Sequence, residues 1–214
     1  TITFPARLTN IGDLAFNNVK SVSNFAFTGT KLEEIGEKAF QNCDGLTEVI
    51  LPEGLKTLRA NAFAWCNALE KFHISSTVTE IGENQFANDD LLNGLTVAAS
   101  SKSFVVTDGI LYKTDENKNA IELIICPVSN AGDAENKVVI PNTVVKVADY
   151  AFRLNKGIKQ IIFEDNAKDG ENAKRDLFIG AEAFYNTKSN CVLEKIVLPE
   201  GMSTIYTKAF YSAC

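Results

Sequence analysis

A nine-residue phrase that ends in Phe, usually preceded by Ala, recurs along this 214-residue chain and constrains its fold more than any other feature. The phrase has the form apolar-x-x-apolar-(Gly or small)-x-x-Ala-Phe, and the residue five before the Phe is aliphatic in every copy. The copies end at Phe16, Phe27, Phe40, Phe63, Phe86, Phe152, Phe184 and Phe210. Such self-similarity predicts a solenoid, in which each unit buries its apolar edge only by stacking on its neighbours.

The intervals between the phenylalanines indicate the length of the repeat. Phe40, Phe63 and Phe86 are 23 residues apart, which is typical of leucine-rich repeats, and their rings should stack as a buried spine. The first two intervals, 11 and 13 residues, sum to one ordinary unit of 24. The 66 residues from Phe86 to Phe152 correspond to three units of 22 in which the intermediate Ala-Phe pairs are no longer recognisable. At a strand spacing of about 4.8 Å, eight to nine coils would form a rod ~40 Å long.

A second phrase, Leu-x-x-apolar-x-apolar, lies between the Ala-Phe pairs and is often closed by proline. It occurs, with small variations, at residues 46–52, 69–75, 92–98, 158–164 and 193–199. Alternation at period two with β-branched residues indicates a strand, and a proline ends strand pairing. Each unit is therefore predicted to contain a strand, a turn, a second short extended segment and one tight helical turn that carries Ala-Phe.

Residues 35–75 (IGEKAFQNCDGLTEVILPEGLKTLRANAFAWCNALEKFHIS) contain both phrases twice. This stretch resembles the BspA-like leucine-rich repeats of bacterial surface proteins, and the resemblance covers essentially the whole chain. It implies an α/β-type, β-rich solenoid with a parallel β-sheet on one face and short extended or helical turns on the other. Residues 104–127 (FVVTDGILYKTDENKNAIELIICP) are similar to the hairpin-bearing units that interrupt such arrays. We therefore expect a β-hairpin insert.

The expected organisation is a single solenoid over residues 1–214, with an irregular hairpin-bearing unit at about 98–137 and a polar insertion loop at 165–176. The chain opens inside a predicted strand and stops four residues after its last repeat Phe. Since solenoids need polar end caps, we interpret it as a fragment of a longer chain. Departures from the repeat pattern are Gln85 in place of Ala and Asp176 in place of an aliphatic residue.

Composition argues against nucleic acids and membranes as partners. A net charge of −6 argues against nonspecific nucleic-acid binding, because that binding needs basic patches that displace counterions. No run approaches the 18 apolar residues of a membrane-spanning helix, so membrane insertion by this segment is not expected. We expect a monomer without cofactors.

The five cysteines follow the register of the repeat. Cys43 and Cys66 stand three residues after a repeat Phe, and Cys214 stands four after one. Cys43 and Cys66 should stack with Cα atoms ~5 Å apart, within disulfide range, but with nearly parallel Cβ vectors. We therefore favour buried free thiols over a bond between them. Cys126 is predicted to point inward, and Cys191 to be the most exposed thiol.

Catalytic and metal-binding patterns are sparse. The only histidine, His73, lies in a strand phrase and should project away from the core, and the sequence contains no nucleophile elbow, phosphate loop, H-E-x-x-H or C-x-x-C. We therefore predict that the chain is not an enzyme and holds no zinc. Residues 165–176 (DNAKDGENAKRD) overlay an EF-hand loop in part, but position three is Ala167 and the final Glu is missing. A solvated loop is favoured, with calcium binding as the alternative.

Outward positions of the strand phrase form the candidate binding surface. Because apolar positions face inward, the positions between them should line up across coils in two rows. The first predicted row is Glu48, Lys71, Gly94, Leu123, Lys137, Gln160 and Lys195. The second is Ile50, His73, Thr96, Ile125, Val139, Ile162 and Val197. The first row sums to +2, and the second has five aliphatic residues. These residues either reflect β-propensity alone or form an apolar stripe, flanked by lysines, that docks a protein.

Two function classes remain open. The resemblance implies an extracellular recognition or adhesion module, on a cell surface or secreted, that binds host extracellular-matrix or neighbouring-cell proteins through the sheet. The alternative is a structural spacer that displays another domain. Carbohydrate binding is a weaker option, since sugar platforms use exposed aromatics and the lone Trp65 is predicted to lie in a turn and not on the sheet.

Overall fold

The computed structural model describes residues 1–164, 176–186, 192–200 and 202–213. These residues form eighteen strands and no helix. The strands are β1 (Ile2–Phe4), β2 (Asn10–Ile11), β3 (Phe25–Phe27), β4 (Glu34–Ile35), β5 (Glu48–Ile50), β6 (Thr57–Leu58), β7 (Lys71–Ile74), β8 (Glu80–Ile81), β9 (Gly94–Val97), β10 (Phe104–Thr107), β11 (Ile110–Thr114), β12 (Ala120–Ile125), β13 (Lys137–Ile140), β14 (Lys146–Val147), β15 (Gln160–Phe163), β16 (Leu177–Ile179), β17 (Lys195–Val197) and β18 (Met202–Ile205).

Each regular coil contributes one strand to each of two series of sheets. The first series comprises the parallel sheets β1-β3, β5-β7-β9 and β13-β15-β17. The second series comprises the parallel sheet β2-β4-β6-β8 and the sheet β10-β11-β12-β14-β16-β18. The predicted solenoid with parallel strand pairing is confirmed. The second short extended segment of each unit also pairs with its neighbours, so the coils carry two sheet series instead of one.

The expectation of an α/β unit with a helical Ala-Phe turn is wrong. Hydrogen bonds in this turn close four-residue loops, as from the Ala39 amide to the Gly36 carbonyl at 3.3 Å. The residue two before the Phe has a φ of +51° to +61° in the seven coils that carry the turn, at Leu14, Lys38, Asn61, Asn84, Tyr150, Glu182 and Lys208. A positive φ at the third residue of a turn characterises type II turns and interrupts a helix.

The second copy of the phrase, Val19–Phe27, is a strand and not a turn. Its last three residues form β3 (Phe25–Phe27), which pairs with β1 in parallel. Alternating Phe25 and Phe27 suit a strand, and the segment lacks the Gly that opens most of the other turns. The first coil interval therefore runs 24 residues, from Phe16 to Phe40.

The stretch between Phe86 and Phe152 contains two coils and a hairpin instead of three eroded units. Strands β10, β11 and β12 pair in antiparallel order, and β12 then pairs with β14 in parallel. This arrangement places β12 in the second sheet series. Cys126 takes the place of a repeat Phe, since its amide donates to the Ala151 carbonyl at 2.7 Å as the Phe40 amide donates to the Ala62 carbonyl.

The repeat phenylalanines form the core. The rings of Phe40 and Phe63 stack with centroids 5.0 Å apart, and both residues are fully buried. Phe86 is also buried, but Phe72 lies between it and Phe63 and meets both rings edge-on, at 4.9 and 5.1 Å. The burial of these repeat rings is therefore as predicted, whereas a continuous stack of Phe40, Phe63 and Phe86 is not observed.

The cysteines that the structure describes are buried free thiols, as predicted. Cys43, Cys66 and Cys126 are each at most 2% exposed. Cys43 and Cys66 occupy what we term the corner position, three residues after the repeat Phe. Cys191 and Cys214, like residues 165–175 of the predicted polar loop, lie outside the described residues.

We expect these three thiols to resist alkylation in the folded protein. Burial raises the pKa of the Cys126 thiol, and a hydrogen bond with Cys43 together with burial raises the pKa of Cys66, which suppresses the reactive thiolate of both. A hydrogen bond with Cys66 lowers the pKa of Cys43, so for this fully buried thiol the exclusion of the reagent is what prevents alkylation. Peptide mapping after maleimide treatment should show modification of Cys43, Cys66 and Cys126 only once the chain is denatured. Native labelling of any of them at the rate of a free cysteine would contradict this packing.

Candidate binding surface

The outward face of β5, β7 and β9 carries the first part of the predicted surface. Its two rows in register are Glu48, Lys71 and Gly94, and Ile50, His73 and Thr96. A Cβ added at Gly94 would lie 2.9 Å from Cγ of Lys71, so the lysine stem covers this glycine. The Nδ1 atom of His73 lies 2.9 Å from Oγ1 of Thr96. Ile50 stands alone as an exposed aliphatic residue at 59% exposure.

The outward face of β13, β15 and β17 carries the second part. Its rows in register are Lys137, Gln160 and Lys195, and Val139, Ile162 and Val197. We name the second row the apolar stripe. Val139 and Val197 are 44% and 36% exposed, and Ile162 is half-buried between them. Three β-branched side chains on adjacent strands thus form a contiguous apolar surface.

The two predicted rows do not run through the insert. Leu123 and Ile125 are buried, and Leu123 pairs with Val147 of the second sheet series. Placing these two residues on the outward rows was therefore wrong. The alternating sequence of β12 fits either sheet, and its antiparallel pairing with β11 decides which sheet it joins. The predicted row of five aliphatics reduces to isolated Ile50 and the apolar stripe.

Of the three lysines on this face, Lys71 and Lys195 have no ion pair within the described part of the chain and Lys137 is paired. Lys137 forms ion pairs with Glu135 at 3.1 Å and Asp133 at 3.4 Å. The hydrogen bond to Glu135 and the charge of Asp133 raise the pKa of Lys137. Among the residues that the structure describes, no ion pair involves Lys71 or Lys195. Lys71 and Lys195 are therefore the cations available to a partner.

The second sheet series carries an acidic hollow that the sequence prediction missed. It encloses about 680 Å³, and its charged residues are Asp13, Glu34, Glu37, Arg59, Glu80 and Glu83. Only Arg59 is positive, and it binds Glu34 at 3.0 Å. Desolvation, followed by the charge of Asp149, raises the pKa of Glu83. Glu34, Thr57 and Glu80 lie in register on adjacent strands. The sequence would have indicated these acidic neighbours if the short segments had been interpreted as paired strands.

Aromatic and basic side chains line the turn edge of the last three coils. The guanidinium of Arg153 lies over the rings of Tyr150 and Tyr185, at 5.2 and 5.1 Å. Tyr185 also stacks on Tyr211 at 5.7 Å. The ring of Tyr185 is therefore covered by Arg153 and Tyr211, which leaves its faces unavailable for stacking on a sugar. Trp65 lies in the turn after Phe63, as predicted, and is 45% exposed.

The described ranges, 1–164, 176–186, 192–200 and 202–213, contain neither a metal-ligating cluster nor a membrane-spanning helix. In these ranges no group of three or more His, Cys, Asp or Glu side chains is arranged to hold a metal ion. No helix in the same ranges has the length and apolarity needed to cross a bilayer. The loop at residues 165–176, for which calcium binding is the alternative prediction, is described only at Asp176. The Asp176 carboxylate accepts a hydrogen bond from Ser203 at 2.8 Å.

Comparison with protein families places this geometry in context. The family model of the BspA type leucine rich repeat region matches residues 1–106 and 131–214, in six copies. The chain belongs to the BspA-type leucine-rich repeat family. The unmatched residues between these ranges contain β11 and β12, so the BspA-type match is interrupted at the hairpin. A comparison with curated proteins gives no match.

Solved structures similar to this BspA-type array share its fold. The pneumococcal vaccine antigen PcpA is 23% identical with a TM-score of 0.74, over 94% of this chain and 51% of its own. A leucine-rich repeat protein from Eubacterium ventriosum is 20% identical with a TM-score of 0.61, over 92% of this chain and 53% of its own. A leucine rich cell surface protein from Faecalibacterium prausnitzii is 20% identical with a TM-score of 0.51, over 99% of this chain and 79% of its own. The chain thus spans about half the length of two of these proteins.

Proposed function

We propose that this chain is a non-catalytic recognition module of a bacterial cell surface that binds a protein through the apolar stripe. The observation that carries the proposal is a contiguous apolar surface on three adjacent strands, formed by exposed Val139 and Val197 with half-buried Ile162 between them. Protein interfaces combine an apolar centre with a polar or charged rim. The stripe supplies such a centre, and Lys195 and Gln160 supply the rim beside it.

The relatives' names support a surface location. One similar structure is of a leucine rich cell surface protein and another is of a pneumococcal vaccine antigen. The partner that we infer is a host extracellular-matrix or neighbouring-cell protein. We assign no catalysis to the chain: the single histidine is engaged with Thr96, and we expect no hydrolase activity that depends on His73.

A stripe variant tests this function. Changing Val139, Ile162 and Val197 together to Thr keeps the β-branched shape that suits strands and removes apolar contact. We expect binding to immobilised fibronectin, laminin or collagen to fall at least tenfold, which corresponds to about 1.4 kcal/mol shared among the three residues, since a few residues near the centre of an interface carry most of the binding energy. Surface plasmon resonance measures this loss directly.

The chain offers a matched control on its other sheet series. Val145, the residue before β14, and Ile205 of β18 are each 45% exposed, so Val145→Thr with Ile205→Thr removes a similar apolar area away from the stripe. The control should bind as the natural chain does, and circular dichroism should show that both variants fold. Equal binding by the two variants would contradict the proposal and favour the structural spacer.

A further inference from the structure

The corner position holds a side chain that reaches into the turn of the preceding coil. Four coils place Cys43, Cys66, Asp89 and Asn155 at this position. All four side chains are buried in the interior. Cys43, Cys66 and Asp89 follow three successive copies of the same turn and therefore meet equivalent backbone groups, whereas Asn155 donates to the carbonyls of Pro127 and Asn130.

The two cysteines show what this turn requires. The Cys66 thiol donates to the Phe40 carbonyl at 3.3 Å, and its sulfur also hydrogen-bonds the backbone amide of Cys43. Likewise, the Cys43 thiol donates to the Phe16 carbonyl at 3.3 Å, and its sulfur hydrogen-bonds the amide of Val19. Each thiol thus bridges a carbonyl and an amide three residues apart in the preceding turn. At these two corners the side chain therefore supplies one donor and one acceptor.

An ionised Asp89 side chain can supply the acceptor at its corner but not the donor. Its Oδ1 accepts a hydrogen bond from the Cys66 amide at 2.7 Å. Its Oδ2 is buried without a partner, and the residue is fully buried. The equivalent carbonyl is that of Phe63, 26 residues before Asp89, as Phe40 is 26 residues before Cys66. No donor reaches the Phe63 carbonyl from any residue that the structure describes.

We propose that Asp89 is held in the folded protein as a neutral carboxylic acid whose Oδ2–H group donates to the Phe63 carbonyl, so that the joint between these coils is closed by a proton. A neutral carboxyl supplies the donor and the acceptor that a thiol supplies at the two preceding corners. A carboxylate supplies acceptors only, and would set its charge beside the Phe63 carbonyl in a buried site. Loss of the proton therefore loosens this joint.

The surroundings of Asp89 favour its neutral form. Burial is the largest influence and raises the pKa of Asp89, and the neighbouring charge of Asp90 acts in the same direction, whereas the backbone amides of Cys66 and Trp65 oppose them. The titratable groups that face Asp89 are the Cys66 thiol and Asp90, and Asp90 is itself paired with Lys156. No cation among the described residues is paired with Asp89.

The sign of the pH effect follows from the raised pKa. A carboxyl with a folded-state pKa above its unfolded value of about 3.9 contributes its full stability below that value. That contribution is lost as the pH rises through the folded pKa. The coil pair at Asp89 is therefore tighter in acid than at neutral pH. It lies just before the hairpin insert, so the proton controls the point where the regular array meets the irregular unit.

Asp89→Asn tests the proposal, because an amide supplies the acceptor and the donor without a proton that titrates. The melting temperature should be measured from pH 4 to pH 8. We expect the variant and the natural chain to have the same melting temperature near pH 4. As the pH rises, the melting temperature of the variant should exceed that of the natural chain by a growing margin. The difference in the folding equilibrium constant should reach up to tenfold per pH unit. Asp90→Asn, the exposed neighbour, should keep the loss of stability with rising pH, reduced only by the part that the Asp90 charge contributes to the raised pKa of Asp89. An Asp89→Asn variant that parallels the natural chain at every pH would overturn the proposal.

Two further measurements keep the test decisive if the amide does not fold. Asp89→Cys restores the corner residue of the two preceding coils and should show the same flattened profile. Infrared spectroscopy of the natural chain at neutral pH should show a protonated carboxylic acid carbonyl band that Asp89→Asn or Asp89→Cys lacks. Absence of that band from the natural chain would show Asp89 to be a carboxylate and would also overturn the proposal.

Discussion

Phe63→Ala is expected to lower the free energy of unfolding by about 3–5 kcal/mol, the range for a large aromatic removed from a close-packed core. Phe63 is fully buried, stacks on Phe40 at 5.0 Å and meets Phe72 edge-on at 5.1 Å. Each coil of a solenoid is stabilised mainly by its neighbours. The cavity would therefore weaken the coils of Phe40 and Phe86 as well as its own.

Urea denaturation followed by circular dichroism measures this loss, and hydrogen exchange shows how far it spreads. Lys71→Ala is the control, since an exposed exchange should change the free energy of unfolding by no more than about 0.5 kcal/mol. Equal effects of Phe63→Ala and Lys71→Ala would mean that the assignment of inside and outside is wrong.

Gly36→Ala is expected to destabilise the chain by about 1–3 kcal/mol, as overpacking of a close contact does. A Cβ at this position would lie 2.5 Å from the Asp13 nitrogen and 2.6 Å from its Oδ1 atom. The coils are bonded closely here: the Gly36 amide donates to the Ile11 carbonyl at 2.8 Å, and the Glu37 amide donates to Asp13 Oδ1 at 2.7 Å. Neither coil can withdraw without losing these bonds.

Gly12→Ala provides a control at the same position of the repeat. No atom lies within 4 Å of a Cβ built on Gly12, so the methyl group meets open space. This change should be neutral or stabilise the chain by about 0.4–1 kcal/mol, because alanine restricts the unfolded chain. If thermal unfolding shows similar losses for the two alanine variants, backbone conformation and not the contact between coils would explain the role of Gly36.

The solenoid and its core could be predicted because they rest on periodicity. The spacing of 23 residues between Phe40, Phe63 and Phe86 placed these side chains in the interior before any contact was known. The outward rows were also predicted in the correct register within β5, β7 and β9 and within β13, β15 and β17. Alternation along a strand determines which residues share a face.

The turns could not be predicted from the same pattern. A tight turn that ends in Ala-Phe was interpreted as helical, because the sequence shows residue spacing and not φ. Lys38, Tyr150 and Glu182 adopt a positive φ although their residue types do not indicate it. Inter-coil hydrogen bonds, such as that from the Phe40 amide to the Ala62 carbonyl at 2.8 Å, hold this conformation, and they depend on residues more than 20 positions away.

The candidate surface was only partly predictable for a related reason. The apolar stripe follows from alternation, but its separation from Ile50 depends on β12 joining the second sheet series. The acidic hollow was missed because strands of two residues, such as β4 and β8, are too short to show alternation. The binding role of Glu48, Lys71, Gln160 and Lys195 stays a prediction.

The regular hydrogen bonds between neighbouring coils have a consequence for how such a molecule can change over generations. The Asn61 side chain receives a bond from Asn84, and the Pro52 carbonyl receives one from Ser75, in both cases 23 residues along the chain. A gene that duplicated or deleted one such interval would preserve the bonding partners on either side of the junction. Recombination could therefore lengthen or shorten the molecule while each exposed row evolved separately from the interior.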